Sequence, residues 1–373
     1  MKRILMVNVP YAGHTNPTLL LASELVKRGY SVTYVNAEEF RTKIEKTGAL
    51  FIPYINYPDK PSESQKKTMC FRAAYDTVLA LKEKYDLLIY EMFFYPGYAL
   101  AQKLGIPCIR QFSQPAWNKK FIQNAPLMFR ISAEIIDSKV MKKKHKKHMG
   151  LEDTKLMKAI LEDRPNLNIV YVPSVFQNYR ESFDESYHFA VPPVETTEVS
   201  VNIPYEKMKP PIIYISLGSI ISNKGFCKGC IRAFGNTEFS VILNTGKVAP
   251  DKLGKIPDNI YAYSFVPQID VLNHADVFLT HCGMNSVNEA IAAKVPMIVM
   301  PFVNDQLANA KRIVEMGIGK RIRSFPSSSK QMYRVAQAII ADDSMYKKYA
   351  TVAEQMGNDD FLSVVDEIEK LLM

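Results

Sequence analysis

At 373 residues, with 47% hydrophobic and 23% charged residues, the chain is too long for one ordinary domain and too apolar to be disordered. Its formal net charge of +9 favours anionic partners, whether nucleotides, nucleic acids or acidic lipid surfaces, without choosing among them. Five cysteines, an odd number, argue against a disulfide framework, and the opening MKRILMVNVPYAGH lacks the h-region of a signal peptide, so a reduced, cytoplasmic protein is expected.

The first half alternates short apolar runs with helical patterns. A buried strand is expected over Ile4–Val9, then a helix from about Pro17 to Arg28 with Asn16 as N-cap and Gly29 as its stop. Further strands are read at Val32–Asn36, Leu87–Glu91, Cys108–Phe112 and Asn168–Pro173. Continuous apolar runs of this kind suit a parallel sheet covered on both faces.

Between Val191 and Pro211 five prolines fall in a stretch with little periodicity, the best candidate linker. The rhythm then restarts at Ile212–Ser219, Phe239–Thr245, Val277–Thr280 and Pro296–Met300. The expected fold class is α/β, with two doubly wound Rossmann-like domains facing a cleft. Their expected bounds are 1–200, a linker over 201–211, then 212–358, with 359–373 forming an amphipathic helix that packs back towards the N-terminal domain. The longest apolar stretch, Val295–Val303, is too short to span a bilayer and holds two prolines.

Two motifs have ordinary explanations. Cys227 and Cys230 form a CxxC with no second pair, in a context that reads as an amphipathic helix, so the spacing is taken as accidental and no metal site is expected. The basic run Lys139–His148 reads first as a solvated face and second as a contact with an anionic membrane surface. No nucleic-acid-binding motif accompanies it.

Ligands of doubly wound sheets bind beyond the carboxyl ends of the strands. FVPQ (Phe265–Gln268), THCGMNSVNEAI (Thr280–Ile291) and PFVNDQ (Pro301–Gln306) lie at such places and hold the parts a nucleotide diphosphate needs. Gly283 permits close backbone approach, and Asn285 and Ser286 stand where a helix begins, offering N–H donors and positive potential to phosphate. His281 can donate to a second phosphate, and Ser219 offers a hydroxyl after another strand. Glu289, one turn into the helix, suits a ribose diol; Phe265 offers a stacking face and Val266 its backbone. Asp305 and Gln306 suit sugar hydroxyls. Singly, each has a commoner structural explanation; the joint order is hard to reach by accident. In the first half, AGHTNP presents His14, an imidazole suited to take a proton from an acceptor hydroxyl near neutral pH. No GxGxxG follows either opening strand, which disfavours a dinucleotide oxidoreductase.

These residues resemble the signature of the nucleotide-sugar-dependent glycosyltransferases of family 1, which have the GT-B fold, closest to the bacterial macrolide and natural-product glucosyltransferase branch. The resemblance spans VNVPYAGHTNPTLLLASELVKRGYSVTY, KYDLLIYE, LNIVYVPSVFQ and ISLGS to DQLANAKRI. It implies that Phe265 stacks on uracil, where plant members usually have Trp, and that the Val266 backbone holds the base edge. Gln268 and Glu289 would contact ribose. Ser219, His281, Asn285 and Ser286 would bind diphosphate, and Asp305 and Gln306 the donor sugar, with a lean to UDP-glucose. It further implies an inverting, metal-independent displacement with His14 as base. The base's partner falls on Glu91 of LLIYE, where the family usually has Asp.

The acceptor is read least well. Candidate segments are Pro10–Tyr11, Asn56–Tyr75, Phe93–Tyr95, Gln111–Trp117 and Phe121–Met128, whose aromatics suit a small lipophilic or phenolic molecule. The competing readings are a lipid glycosyltransferase at a membrane surface and a non-catalytic sugar-nucleotide-binding auxiliary protein.

Overall fold

The computed structural model describes residues 1–125, 127, 131, 135, 142–193, 201–218, 223–323 and 328–373, save the side chain of residue 304. Two compact units result, one formed by Met1–Pro192 with Asp359–Met373, the other by Pro193–Asn358.

Among its described residues the first unit holds seven strands: β1 (Arg3–Val7), β2 (Ser31–Asn36), β3 (Leu50–Pro53), β4 (Leu87–Glu91), β5 (Cys108–Phe112), β6 (Leu167–Val170) and β7 (Tyr187–Phe189). They form one sheet in the order β3-β2-β1-β4-β5-β6-β7, and every pairing is parallel. The β-branched and aliphatic side chains of Ile4–Val7 and Leu87–Ile89 are fully buried, as strands covered on both faces require.

The second unit repeats the rhythm with β8 (Ile212–Ser216), β9 (Ser240–Asn244), β10 (Ile260–Tyr263), β11 (Val277–Thr280), β12 (Met297–Val299) and β13 (Gly319–Arg321). Their order is β10-β9-β8-β11-β12-β13, again all parallel. Both sheets reverse their strand order beside the opening strand, at the β1–β4 and β8–β11 pairs. The crevice at the carboxyl ends of such a pair is where open α/β sheets take ligands.

The sequence reading missed β3, β7, β10 and β13. Each has only three or four residues and lies at or near a sheet edge, where burial on both faces is not demanded, so no apolar run marks it. The helix expected from Pro17 is also corrected. The chain is already helical over Ala12–Thr15, tightens into a 3₁₀ turn at Asn16–Thr18, and continues as an α-helix over Leu19–Lys27. Asn16 is therefore no N-cap; its Oδ1 accepts from Lys43 Nζ instead. Gly29 stops the helix with a φ of +88°, which glycine adopts without steric cost.

Phe361–Leu372 is an α-helix of the first unit, buried through Phe361, Val364, Val365, Ile368 and Leu372 against the helix Leu19–Lys27 and its surroundings. Arg28 adds ion pairs to Asp366 and Glu369. Exposed pairs contribute about 0–1 kcal/mol, whereas each buried aliphatic side chain contributes about 1.5–3 kcal/mol, so the apolar stripe holds this helix. Among the described residues no helix is long and apolar enough to cross a membrane.

Candidate functional site

In the first unit the carboxyl end of β1 runs into the short helix carrying His14. A buried polar network fixes that turn. Asn8 Nδ2 donates to the His14 carbonyl at 3.1 Å and to Tyr34 Oη at 2.9 Å, and Asn36 Nδ2 donates to Thr15 Oγ1 at 3.0 Å. Tyr54 closes it from β3's far end by donating to the Asn8 carbonyl. The loop is thus tied to β1 and β2 before any substrate arrives.

Glu91 is the last residue of β4, beside β1, and its side chain is fully buried. His14 Nδ1 lies 2.8 Å from its Oε1. The extra methylene relative to Asp does not turn the carboxylate away, because Oε2 accepts the Phe93 backbone N–H at 2.7 Å. Ser113, just past β5, joins them: its Oγ is 2.7 Å from His14 Nδ1 and 3.3 Å from Glu91 Oε1. Sequence reasoning placed Ser113 only inside an acceptor segment; nothing local distinguishes it from any serine after a strand. An ionised carboxylate only accepts, so Nδ1 bonds Oε1 by carrying the proton, which leaves the lone pair on Nε2.

Aromatic rings continue outward from this group. The His14 ring is met edge-on by Phe93 at 5.2 Å and by Tyr11 at 6.1 Å. Phe93 in turn meets Trp117 at 5.9 Å, and Trp117 stacks on Phe121 at 6.4 Å. Burial pushes the Tyr11 phenol above its ordinary range, keeping it a neutral donor. Of the acceptor segments, Pro126 and Met128 lie outside the described residues.

In the second unit the helix Met284–Ala292 begins after β11 with Gly283 at its N-cap and no side chain capping it. Its first intrahelical bond runs from Val287 N to Gly283 O, so the N–H groups of Met284, Asn285 and Ser286 lack intrahelical acceptors. An uncapped helix start beyond a switch-point strand is a place for an anion. Cys282, in the left-handed region at φ +70°, turns the chain into it, and buried Asn309 fixes the turn by donating to the Cys282 carbonyl at 2.9 Å. Asn309 escaped the sequence reading.

His281 is buried in this turn, and its Nδ1 has no hydrogen-bond partner among the described residues. Burial pushes its pKa down to about 4, so the ring is neutral at physiological pH and donates from one nitrogen only. Its ring is closely flanked by two glycines: a Cβ on Gly218 would come within 2.6 Å of it, and one on Gly283 within 2.8 Å. A group whose folded-state pKa is depressed below an ordinary 6.5 stabilises the fold above that value and loses its contribution as pH falls towards 4. We therefore expect His281 to contribute about 2 kcal/mol to the stability lost between pH 7 and pH 5, read as the part of the urea-midpoint shift that His281→Gln removes. Equal pH slopes in the two proteins would refute this.

Gln268 opens the helix Gln268–Leu272 and gathers the neighbouring residues. Its Nε2 donates to Ser286 Oγ at 3.0 Å and to Glu289 Oε2, while Tyr214 Oη donates to its Oε1 at 3.1 Å. Burial raises the Glu289 pKa, opposed by the Gln268 bond. Val266 is buried, whereas Phe265 is 58% exposed, a large aromatic face with no core role. Asp305 is exposed on the first turn of the helix Asn304–Glu315. Gln306 is buried, and its Oε1 accepts from Phe302 N and Val303 N, so only its amide nitrogen remains to serve a ligand. Ser219 lies outside the described residues.

Cys227 and Cys230 sit buried on the helix Lys224–Phe234, and burial raises both thiol pKa values. Of the basic run, Lys139–Met141 lie outside the described residues; Lys142, Lys143, Lys144 and Lys147 are exposed. Lys146 is buried and donates to the Thr154 carbonyl at 2.9 Å, and His148 Nε2 lies 2.6 Å from Asp76. Among the described residues no cluster of His, Cys, Asp or Glu could hold a metal ion.

The sequence model of "UDP-glucoronosyl and UDP-glucosyl transferase" matches residues 206–367. The NDP-glycosyltransferase YjiC of Bacillus licheniformis is 30% identical over 401 aligned residues, covering 100% of this chain and 98% of that protein. The oleandomycin glycosyltransferase of Streptomyces antibioticus is 26% identical, covering 95% of this chain and 87% of that protein. Among solved structures, the glycotransferase of kitacinnamycin superposes with a TM-score of 0.86 at 25% identity, covering 100% of this chain and 99% of that one. The calicheamicin glycosyltransferase CalG4 superposes with a TM-score of 0.83, also at 25% identity, covering 100% and 98%. With its two parallel sheets and full-length relatives, the chain belongs to the UDP-glycosyltransferase family of GT-B enzymes, which transfer a sugar from a nucleotide sugar to an acceptor.

Proposed function

We propose that the protein transfers glucose from UDP-glucose, with inversion and without a metal, to a hydroxyl of a small lipophilic or phenolic acceptor. Acceptor activation is assigned to residues 1–200 with the helix of 359–373, and donor binding to 212–358, joined by the linker 201–211. The observation that carries the reading is the His14–Glu91 contact of 2.8 Å at the carboxyl ends of two adjacent strands.

In the proposed step, His14 Nε2 takes the proton of the acceptor hydroxyl. The acceptor oxygen forms its bond to the anomeric carbon as the bond from that carbon to the β-phosphate oxygen breaks, and UDP leaves with the electron pair. Glu91 holds the imidazole tautomer and stabilises the imidazolium. The N–H groups at Gly283–Ser286 and the single proton of neutral His281 meet the charge on the diphosphate, so no metal is assigned to the step. Gln268 and Glu289 take the ribose, Phe265 the base with the Val266 backbone at its edge, and Asp305 with the Gln306 amide the sugar. A single displacement converts an α-linked donor to a β-glycoside. The rings of Tyr11, Phe93, Trp117 and Phe121 beside His14 support a flat or apolar acceptor.

A panel of UDP- and dTDP-sugars against phenolic and macrolide acceptors tests this. The expected result is a hexose mass gain, greatest with UDP-glucose, in a product whose anomeric proton shows the β configuration. No mass gain with any pair, or an α-glycoside, would sink the reading.

A further inference from the structure

The His14–Glu91 pair carries a feature that its two members do not explain. Glutamate has one more side-chain torsion than aspartate, so its carboxylate must be held at more points to present one oxygen to Nδ1. Two contacts do so. The Phe93 backbone N–H fixes Oε2 at 2.7 Å, and the Ser113 hydroxyl approaches Oε1 at 3.3 Å while lying 2.7 Å from Nδ1. Ser113 is itself buried and directly follows β5, the strand on the other side of β4 from β1.

The proton arrangement follows from the donor inventory. A hydroxyl has one proton. If Ser113 gave it to Nδ1, the lone pair of Nδ1 would already be engaged, and no proton would lie between that nitrogen and the carboxylate oxygen 2.8 Å away. The consistent arrangement has Nδ1–H directed at Oε1, with the Ser113 proton also given to Oε1 and its oxygen sharing the Nδ1 proton. Three donors then converge on one buried carboxylate, and its surroundings are satisfied.

We propose that Ser113 is a positioning residue for the proton-accepting imidazole: it locks the Glu91 carboxylate against Nδ1 and so keeps the lone pair of His14 on Nε2. This rests on the reading of His14 as the base. Ser113 acts through Glu91 and His14 and touches no substrate.

Two measurements test it. In the first, turnover of UDP-glucose with whichever acceptor is best in the panel is followed in Ser113→Ala, Ser113→Thr, Glu91→Gln and the double variant Glu91→Gln/Ser113→Ala. Ser113→Ala is expected to lower kcat about 10- to 50-fold with both KM values kept, Thr to restore most of it, and the double variant to be no slower than Glu91→Gln alone. Additive losses would overturn the proposal, since a residue that merely supports the fold does not need Glu91 to exert its effect. The second needs no substrate: the ¹⁵N spectrum of histidine in the intact chain is expected to show His14 protonated at Nδ1, with that tautomer falling in Ser113→Ala and returning in Ser113→Thr. An unchanged tautomer together with unchanged kcat in Ser113→Ala overturns it. Should that variant not fold, Ser113→Cys keeps the volume with a weaker donor, and unchanged rate there overturns it equally. Failure of the base reading is seen separately, as turnover that survives His14→Ala.

Discussion

His14→Ala is expected to abolish glycoside formation while UDP still binds. Positioned proton transfer contributes about 10²–10⁴ in rate, and the full figure applies here because the structure invests a fully buried carboxylate in orienting this one ring. The check pairs initial rates, read by product mass, with calorimetric titration of UDP. His14 belongs to the first unit and the uncapped helix start with His281 to the second, so the nucleotide affinity should remain within about twofold. Turnover that persists at the wild-type rate would remove His14 from the chemistry. Simultaneous loss of UDP binding would instead mean that the variant had damaged the fold. A non-catalytic auxiliary role predicts UDP binding without sugar transfer in the wild type and in His14→Ala alike, so the same experiment separates the two readings.

Gly218→Ala is expected to fail in the opposite way, losing the nucleotide. Gly218 follows β8 at a φ of +72°, where an L side chain costs about 1–2 kcal/mol in backbone strain alone. A Cβ there would also sit 2.6 Å from His281 Cε1 and 3.1 Å from Nε2, closer than carbon atoms pack. The imidazole is buried and backed by Gly283, which offers little room to retreat. The ring or the turn must therefore move, and with it the N–H groups that start the helix Met284–Ala292. Strain and displacement together predict UDP affinity at least about tenfold weaker, since each factor of ten is about 1.4 kcal/mol. Gly357→Ala is the control. Its Cβ would meet nothing within 4 Å, and it ends a helix at an ordinary φ. Equal UDP affinity in Gly218→Ala and the wild type would show that the ring's position does not govern nucleotide binding.

The two predictions divide the molecule as the two sheets do. Each unit places a histidine at the same topological point, beyond the strand pair where the order reverses, and the two have different surroundings. His14 stands with its Nδ1 2.8 Å from a buried carboxylate. His281 is enclosed, and burial holds its pKa near 4, which suits a neutral donor to an anion.

Much of this was legible in the residues. Central strands such as Ile4–Val7 and Val277–Thr280 announce themselves because burial on both faces demands continuous apolar runs, and the βα rhythm repeated on either side of a proline-rich stretch specifies two doubly wound units. The helix start was readable at Gly283–Ser286, since small residues after a strand have a local signature. So was the carboxylate at the end of LLIYE.

What the sequence left open was whatever depends on residues far apart meeting. Ser113 reaches His14 across 99 positions, and Glu91 across 77. Asn309 holds the Cys282 carbonyl from 27 positions away, and the capping bonds of Gln306 use an oxygen that its motif had reserved for sugar. Edge strands of three or four residues carry no run long enough to read. Local patterning is written by burial, which every residue of an element reports. A hydrogen bond between distant side chains is written by only two atoms, and the folded chain alone decides whether the extra methylene of Glu91 brings its carboxylate to Nδ1 or away from it.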